Sequence, residues 1–293
     1  MADQLSEPLL QELPPSSQGD GSVADPVQAY ARYVAAANAA AASRRRAAPQ
    51  AWVEYTDDNG RGLAALTAFL LGFACASAVA APLILPSAAP FFCYLFLLCL
   101  FHVSEYLLTA AFRPDTLSFD NFLINHSTAY QAMVGLAWAE YWIEWVLVTQ
   151  FGCCAWWPGG KSWDALSTLG VLLCLLGLCT RSLGMATAST NFSHKIEEQK
   201  REEHSLVTHG IYAYLRHPAY FGFFWWCVGT QVLLANPFAL LAYTAASWHF
   251  FYDRIPTEEL LLVEFFGDAY RQYRKKTMLG IPLLAWAVQH MDN

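Results

Sequence analysis

Charge is scarce in this chain: Asp, Glu, Lys and Arg make up 14% of its 293 residues, against 56% hydrophobic and 15% aromatic. A typical soluble domain carries about 25% charged residues, so the deficit argues against a conventional water-soluble fold. The cysteines lack any CxxC spacing. Cys75, Cys93, Cys99, Cys174, Cys179 and Cys227 lie inside apolar runs as small hydrophobes, and Cys153 and Cys154 are adjacent, so neither a disulfide framework nor a cysteine metal site is expected. No HExxH or comparable histidine spacing occurs, which removes the usual zinc-enzyme signature, and no metal is expected. There is no glycine-rich strand-to-helix turn, so a Rossmann-type cofactor site is set aside. Nothing in residues 1–60 pairs a basic n-region with an apolar core, so a cleaved signal peptide is not expected. No nucleic-acid partner is expected either.

What the chain has instead is apolar residues gathered into long blocks. Spans are predicted near 63–85, 91–112, 128–150, 163–185, 218–235 and 237–252, the last two separated only by the turn pair Asn236-Pro237. Both of these are short for a hydrocarbon core of ~30 Å, which implies tilt, burial in protein or continuation past these limits. Lys and Arg number five in 1–62, one in 113–127, four in 186–217 and five in 253–293, while the alternate segments hold only Lys161. Positive loops stay cytoplasmic, so both termini and the 186–217 loop are expected to face the cytosol. Residues 1–60, rich in Pro, Ser, Gly and Ala with Arg44-Arg45-Arg46, read as a disordered cytosolic tail, and 61–293 as the membrane domain. Ser6-Glu7-Pro8-Leu9-Leu10 has the form of an acidic dileucine signal, but a match this short is mostly produced by chance.

Polar residues at membrane depth are costly and require a reason. His102, Glu105, Glu140 and Glu144 fall inside predicted spans, with Arg181 ending the fourth and Arg254 the sixth. For the first four, hydrogen bonding between helices of the bundle is the preferred reading. The densest functional pattern runs through 186–217 into Arg216-His217-Pro218-Ala219-Tyr220-Phe221-Gly222. Proline at a first helical position sacrifices no hydrogen bond, so His217 is expected at the cap and Pro218 at the first turn. The free N–H groups of such a helix start attract a carboxylate or phosphate. Arg254 and Glu258 are spaced i,i+4, which by itself describes an exposed helical pair worth only ~0.3–0.5 kcal/mol.

From His102-Val103-Ser104-Glu105-Tyr106 through Asn121–Ser127, Asn191-Phe192-Ser193-His194, the HSLVTHGIYAYLRHPAYFGF segment (204–223), Gly229–Pro237 and Phe265-Phe266-Gly267 with Tyr270 and Tyr273, the chain resembles the isoprenylcysteine carboxyl methyltransferase family over roughly residues 90–282. An RHPxYxG segment alone also occurs in phospholipid methyltransferases and membrane sterol reductases; the joined pattern is far more specific. The resemblance implies an all-α, polytopic membrane helix bundle of about six transmembrane helices in the endoplasmic reticulum, with a cytosolic-face cofactor site and no Rossmann domain. It implies methyl transfer from S-adenosylmethionine to the free carboxylate of a C-terminal S-prenylcysteine, on CaaX proteins already trimmed by proteolysis, with membrane lipid as surroundings. It carries cofactor contact onto Glu197, His204, Ser205, Leu206, Val207, Tyr212, His217, Pro218, Ala219, Tyr220 and Glu258, and acceptor contact onto Arg254.

Glu197 stands where animal members carry glutamine, and residues 1–60 offer no apolar segment to match the two additional N-terminal spans of those members. The six-span form is closer to fungal or plant members. On chemical grounds, a carboxylate ionised at cytosolic pH requires alignment and desolvation rather than a general base, and an arginine holds it without ever deprotonating. Arg181 and Arg254 are the two catalytic candidates. Phospholipid N-methylation, which needs an amine acceptor, and sterol reduction with NADPH remain as alternatives, beside a non-enzymatic scaffold.

Overall fold

The computed structural model describes residues 61–152, 161–197 and 199–284. The expectations for residues 1–60 and for Cys153 and Cys154 lie outside them. The described chain is helical, with one isolated β-bridge between Leu215 and Met278. Helix α1 covers Arg61–Ala80, α2 Ala89–Phe112, α3 Thr128–Phe151, α4 Ala165–Ala188, α5 Pro218–Leu234, α6 Pro237–Phe266 and α7 Asp268–Lys276. Among the described residues, three segments are long and apolar enough to cross a membrane: Gly62–Leu83, Pro86–Phe112 and Ala165–Asn191, of 22, 27 and 27 residues.

Helix boundaries follow local chemistry. Ser127 caps α3 by accepting from the Tyr130 N–H at 3.1 Å, Asp164 caps α4 by accepting from Ser167 N–H at 2.8 Å, and Gly152 ends α3 at φ +64°. Prolines open α5 and α6. The predicted sixth span ends at 252, yet α6 continues to Phe266 and carries Pro256 inside it. Hydropathy fades after Tyr252, but the amphipathic stretch that follows keeps Ile255, Pro256 and Glu259 buried, so packing prolongs the helix where the apolar run stops. Arg254 therefore lies within a helix and not at its end.

The closest helix contact is between α4 and α5, which run antiparallel along a seam of glycines. A Cβ on Gly177 would meet the Gly222 carbonyl oxygen at 2.5 Å, one on Gly222 would meet the Gly177 oxygen at 2.4 Å, and one on Gly170 would meet the Leu233 nitrogen at 2.2 Å. Small residues permit this approach in place of hydrophobic driving force. The seam carries Arg181 to the start of α5, where its Nη1 donates to the Ala219 carbonyl at 3.2 Å.

Buried polar groups hold the other end of the α5–α6 hairpin. The Lys161 ammonium donates to the Leu234 and Ala235 carbonyls (3.0 and 2.8 Å) and to Asn236 Oδ1 (2.9 Å), and pairs with Glu144 at 2.7 Å. It thereby serves the C-terminal carbonyls of α5. The Glu140 carboxylate accepts from the Phe238 and Ala239 N–H groups at 2.8 and 2.6 Å, which caps α6 from a different helix. His102 bonds the Phe122 carbonyl at 2.7 Å and the Tyr130 hydroxyl at 3.0 Å. Hydrogen bonding between helices, the reading preferred from sequence, holds for Glu140 and for His102 through Tyr130, whereas Glu144 pairs with Lys161 of the segment before α4.

Candidate active site

Two cavities meet at Tyr220. The first has a volume of about 130 Å³ and is walled by the irregular stretches 192–197 and 199–209, the start of α5, and the second half of α6. Every residue carrying an expected cofactor contact lines it: Glu197, His204, Ser205, Leu206 and Val207 from these stretches, Tyr212 from the following 3-10 turn, His217, Pro218, Ala219 and Tyr220 from the head of α5, and Glu258 from α6. The second is larger, about 810 Å³, and is lined by apolar side chains including Phe101, Met133, Met185, Ala246 and Phe250, with Arg181, His194 and Arg254 among its polar ones.

His217 occupies the N-cap position and Pro218 the first helical residue, as expected, but the imidazole makes no capping bond. Its Nε2 lies 3.3 Å from Glu259 Oε1 and its Nδ1 3.7 Å from Glu258 Oε1, and its ring stacks on Tyr220 with 9° between planes. Arg216 donates to Glu259 at 2.6 Å and to the Thr277 carbonyl at 3.0 Å. Backbone bonds between Arg216 and Met278 and between Met278 and Tyr214 (3.1 and 2.9 Å) clamp the chain after α7 against this corner.

The smaller cavity contains groups that fit a polar ligand. The buried His204 Nδ1 and the buried Tyr270 hydroxyl have no hydrogen-bond partner among the described residues, and such atoms are costly unless something satisfies them. Burial pushes the His204 imidazole below its ordinary value despite the nearby Glu197. Burial, and then the Glu258 carboxylate, hold the Tyr212 phenol well above its usual range, and burial raises Tyr273 to about 12; both tyrosines stay neutral. Glu197 is already engaged by Arg201 Nε at 2.7 Å and Arg113 Nη1 at 3.4 Å.

The two arginines expected at the acceptor differ. Arg181 is buried and bidentate to Glu105, at 2.5 and 2.7 Å, and Glu105 also meets His194 Nε2 at 2.9 Å. Arg254 is half-buried and binds neutral oxygens: its Nε donates to the Tyr220 hydroxyl at 2.8 Å and its Nη2 to the His194 carbonyl at 2.6 Å. Among the described residues it has no carboxylate within ion-pair distance. The Arg254–Glu258 pair suggested by i,i+4 spacing does not form directly, because Glu258 accepts instead from Tyr220 at 2.5 Å. Arg254 faces the larger cavity with its charge uncompensated, whereas the charge of Arg181 is spent on Glu105. His126, lowered by burial and then by Arg254 and Arg181, stands neutral on the same wall. Glu105 makes the interhelical bond expected of it, to Arg181, and His194, which stands in the Asn191–His194 run without an assigned role, joins Glu105 to Arg254, so that the two tie the arginines together.

Residues 169–264 match the isoprenylcysteine carboxyl methyltransferase family. The Xenopus laevis protein-S-isoprenylcysteine O-methyltransferase is 41% identical over 220 residues, 75% of this chain and 73% of that protein. Its Homo sapiens counterpart is 41% identical over 65% of this chain and 64% of its own length, and that of Saccharomyces cerevisiae 39% identical over 65% and 79%. A solved structure of a eukaryotic intramembrane Ras methyltransferase, isoprenylcysteine carboxyl methyltransferase, superposes with a TM-score of 0.70 at 36% identity, covering 78% of this chain and 79% of that one. Identity of this level across most of the membrane region, with the same helical arrangement, establishes that the chain belongs to the isoprenylcysteine carboxyl methyltransferase family.

Proposed function

We propose that this chain is a protein-S-isoprenylcysteine O-methyltransferase: it esterifies the C-terminal S-prenylcysteine carboxylate of trimmed CaaX proteins with the methyl group of S-adenosylmethionine. The observation that carries the reading is the meeting at Tyr220 of a smaller cavity lined by every expected cofactor contact and a larger one lined by Arg254, which has no direct ion pair among the described residues. A prenyl chain suits the apolar part of the larger cavity, whose volume falls in the ~300–1,000 Å³ range of small-molecule sites, and the attached carboxylate suits Arg254. The lipid tail would arrive laterally between helices from the bilayer, since leaving hydrocarbon for water is unfavourable.

Bound S-adenosylmethionine supplies an electrophilic methyl on a sulfonium. The first N–H groups of α5 offer donors to a carboxylate, while Tyr212 and Tyr220 present aromatic faces suited to a cation or a base. Glu258 offers negative charge, and His204 Nδ1 and Tyr270 Oη offer the hydrogen bonds they otherwise lack. Arg254 aligns the acceptor carboxylate, and the apolar wall strips its water. Esterification removes the negative charge that Arg254 holds, so the neutral product loses its anchor. Arg181 acts by position: tied to Glu105 and the Ala219 carbonyl, it fixes the head of α5. An amine acceptor would meet repulsion from Arg254.

The reading includes six spans, with α3, α5 and the first half of α6 joining the three apolar helices, residues 1–60 as a cytosolic tail, and an endoplasmic reticulum location with the site facing the cytosol. Lys161, the single cation of the opposite side, is buried in the hairpin lock, so the loop asymmetry in Lys and Arg is sharper than the count suggests. A glycosylation acceptor inserted after the exposed Ile84 is expected to be modified and one at the C-terminus unmodified; the reverse pattern refutes this topology. The activity itself is tested by methyl transfer from labelled S-adenosylmethionine to N-acetyl-S-farnesylcysteine in membranes containing the chain. Absence of transfer in folded protein refutes the assignment.

A further inference from the structure

Arg254 and Glu258 sit one helical turn apart, where opposite charges ordinarily meet directly. Here a single hydroxyl separates them: Tyr220 donates to Glu258 Oε2 at 2.5 Å and accepts from Arg254 Nε at 2.8 Å. Glu258 lines the smaller cavity and not the larger one, Arg254 the larger one and not the smaller one, and Tyr220 both. The tyrosine ring is fixed by stacking on His217, with centroids 5.4 Å apart, and by Phe251 at 5.0 Å. Its hydroxyl therefore cannot serve one charge without reporting on the other, and inside a protein such linked hydrogen bonds polarise one another.

Resting on the function proposed above, we infer that Tyr220 is a positioning residue that couples the two cavities, so that a cationic ligand in the smaller cavity tightens binding of an anionic acceptor in the larger one. With no cation beside Glu258, its charge, relayed through the hydroxyl, offsets part of the field of Arg254. A cation beside Glu258 balances that carboxylate and leaves the arginine to the acceptor. Linkage makes the effect reciprocal: the acceptor tightens the cationic ligand by the same factor. A second tie supports the geometry, since Arg254 Nη2 is held by the His194 carbonyl while His194 Nε2 is held by Glu105. The guanidinium is thus restrained on the acceptor side and tuned on the cofactor side.

The test is binding and not turnover. The affinity of the purified full chain for N-acetyl-S-farnesylcysteine is measured alone, with saturating S-adenosylhomocysteine, and with saturating sinefungin, which carries an amine in place of the sulfonium. The wild-type ratio with sinefungin is expected on the order of 5–150-fold, and larger than with S-adenosylhomocysteine. Tyr220→Phe keeps the ring and removes the hydroxyl that holds Arg254 and Glu258 apart; the two then pair directly, and acceptor affinity in the absence of cofactor falls below that of the wild type. Glu258→Gln keeps an acceptor and removes the charge; its ratio falls toward one, which carries the test if Tyr220→Phe does not fold. A ratio of one in the wild type, or wild-type acceptor affinity in Tyr220→Phe together with a wild-type ratio in Glu258→Gln, overturns the coupling while leaving the enzymatic assignment intact. Failure of the wild-type chain to bind either ligand overturns both.

Discussion

Replacing Arg254 separates acceptor binding from structural support, because the two arginines of the acceptor cavity are held so differently. Arg254 contributes two bonds to neutral oxygens and no ion pair among the described residues. Arg254→Ala therefore leaves no buried carboxylate stranded, and its effect on folding is expected to be small. What it removes is the acceptor's charge-assisted contact, worth ~1.5–3 kcal/mol, and this corresponds to a loss of about 10–150-fold in kcat/KM. The carboxylate loses charge as the ester forms, so the contact is strongest before transfer. KM for the prenylcysteine is expected to rise first, with kcat falling through misalignment. Arg254→Lys keeps a charge but not the planar fork, and falls between the two.

Arg181→Ala is the contrasting case. It strands Glu105, 1% exposed, with His194 as its one remaining ionic partner among the described residues, and breaking a buried pair from one side costs about 3–5 kcal/mol. Folded yield and thermal stability are expected to drop before any kinetic parameter can be read. The assay is labelled methyl transfer to a farnesylcysteine analogue, with folded protein and cofactor affinity matched across variants. Near wild-type kcat/KM in folded Arg254→Ala refutes the reasoning and leaves Arg254 as a helix residue whose guanidinium only decorates the cavity wall.

The hairpin lock makes a similar prediction: Lys161→Met strands Glu144 and is expected to destabilise by about 3–5 kcal/mol, with partial recovery in Lys161→Met/Glu144→Leu, read from thermal unfolding in detergent. Gly222→Val forces a side chain into the Gly177 carbonyl; a cost of at least ~1–3 kcal/mol is expected, and an unchanged midpoint would contradict the seam. His204 is held below its ordinary pKa of about 6.5. The unfolded chain then takes a proton that the folded chain resists, so stability is complete above about pH 6.5 and is lost as pH falls toward the folded value. His204→Gln, always neutral, is expected to flatten that acid limb in unfolding scans, and an identical pH profile in the variant assigns the limb to other groups. His217→Ala is expected to weaken S-adenosylmethionine binding more than prenylcysteine binding, through the lost stack on Tyr220, as measured by separate ligand titrations.

The membrane helices were legible because apolar blocks of bilayer length have few alternatives, and the head of α5 because a proline tolerates few helical positions. Pairings among buried charges were not. Glu105 finds Arg181 across 76 residues, and Glu140 finds the start of α6 across 98; hydropathy says only that each needs a partner. The glycines at 170, 177 and 184, matched by 222 and 229, were a readable clue, since a seven-residue spacing of the smallest side chain marks a helix face that another backbone approaches. Following it would have placed α4 against α5 and Arg181 beside Ala219. Spacing alone says least at Arg254 and Glu258, where i,i+4 geometry describes a self-neutralising pair on one helix and only the position beside a membrane span favours a functional arginine. The Tyr220 side chain, entering from α5, takes the carboxylate for its own hydroxyl and gives the arginine a neutral oxygen in return. A cation that its own helix would have neutralised is left with charge to offer a ligand, and that rearrangement exists only once two helices have packed.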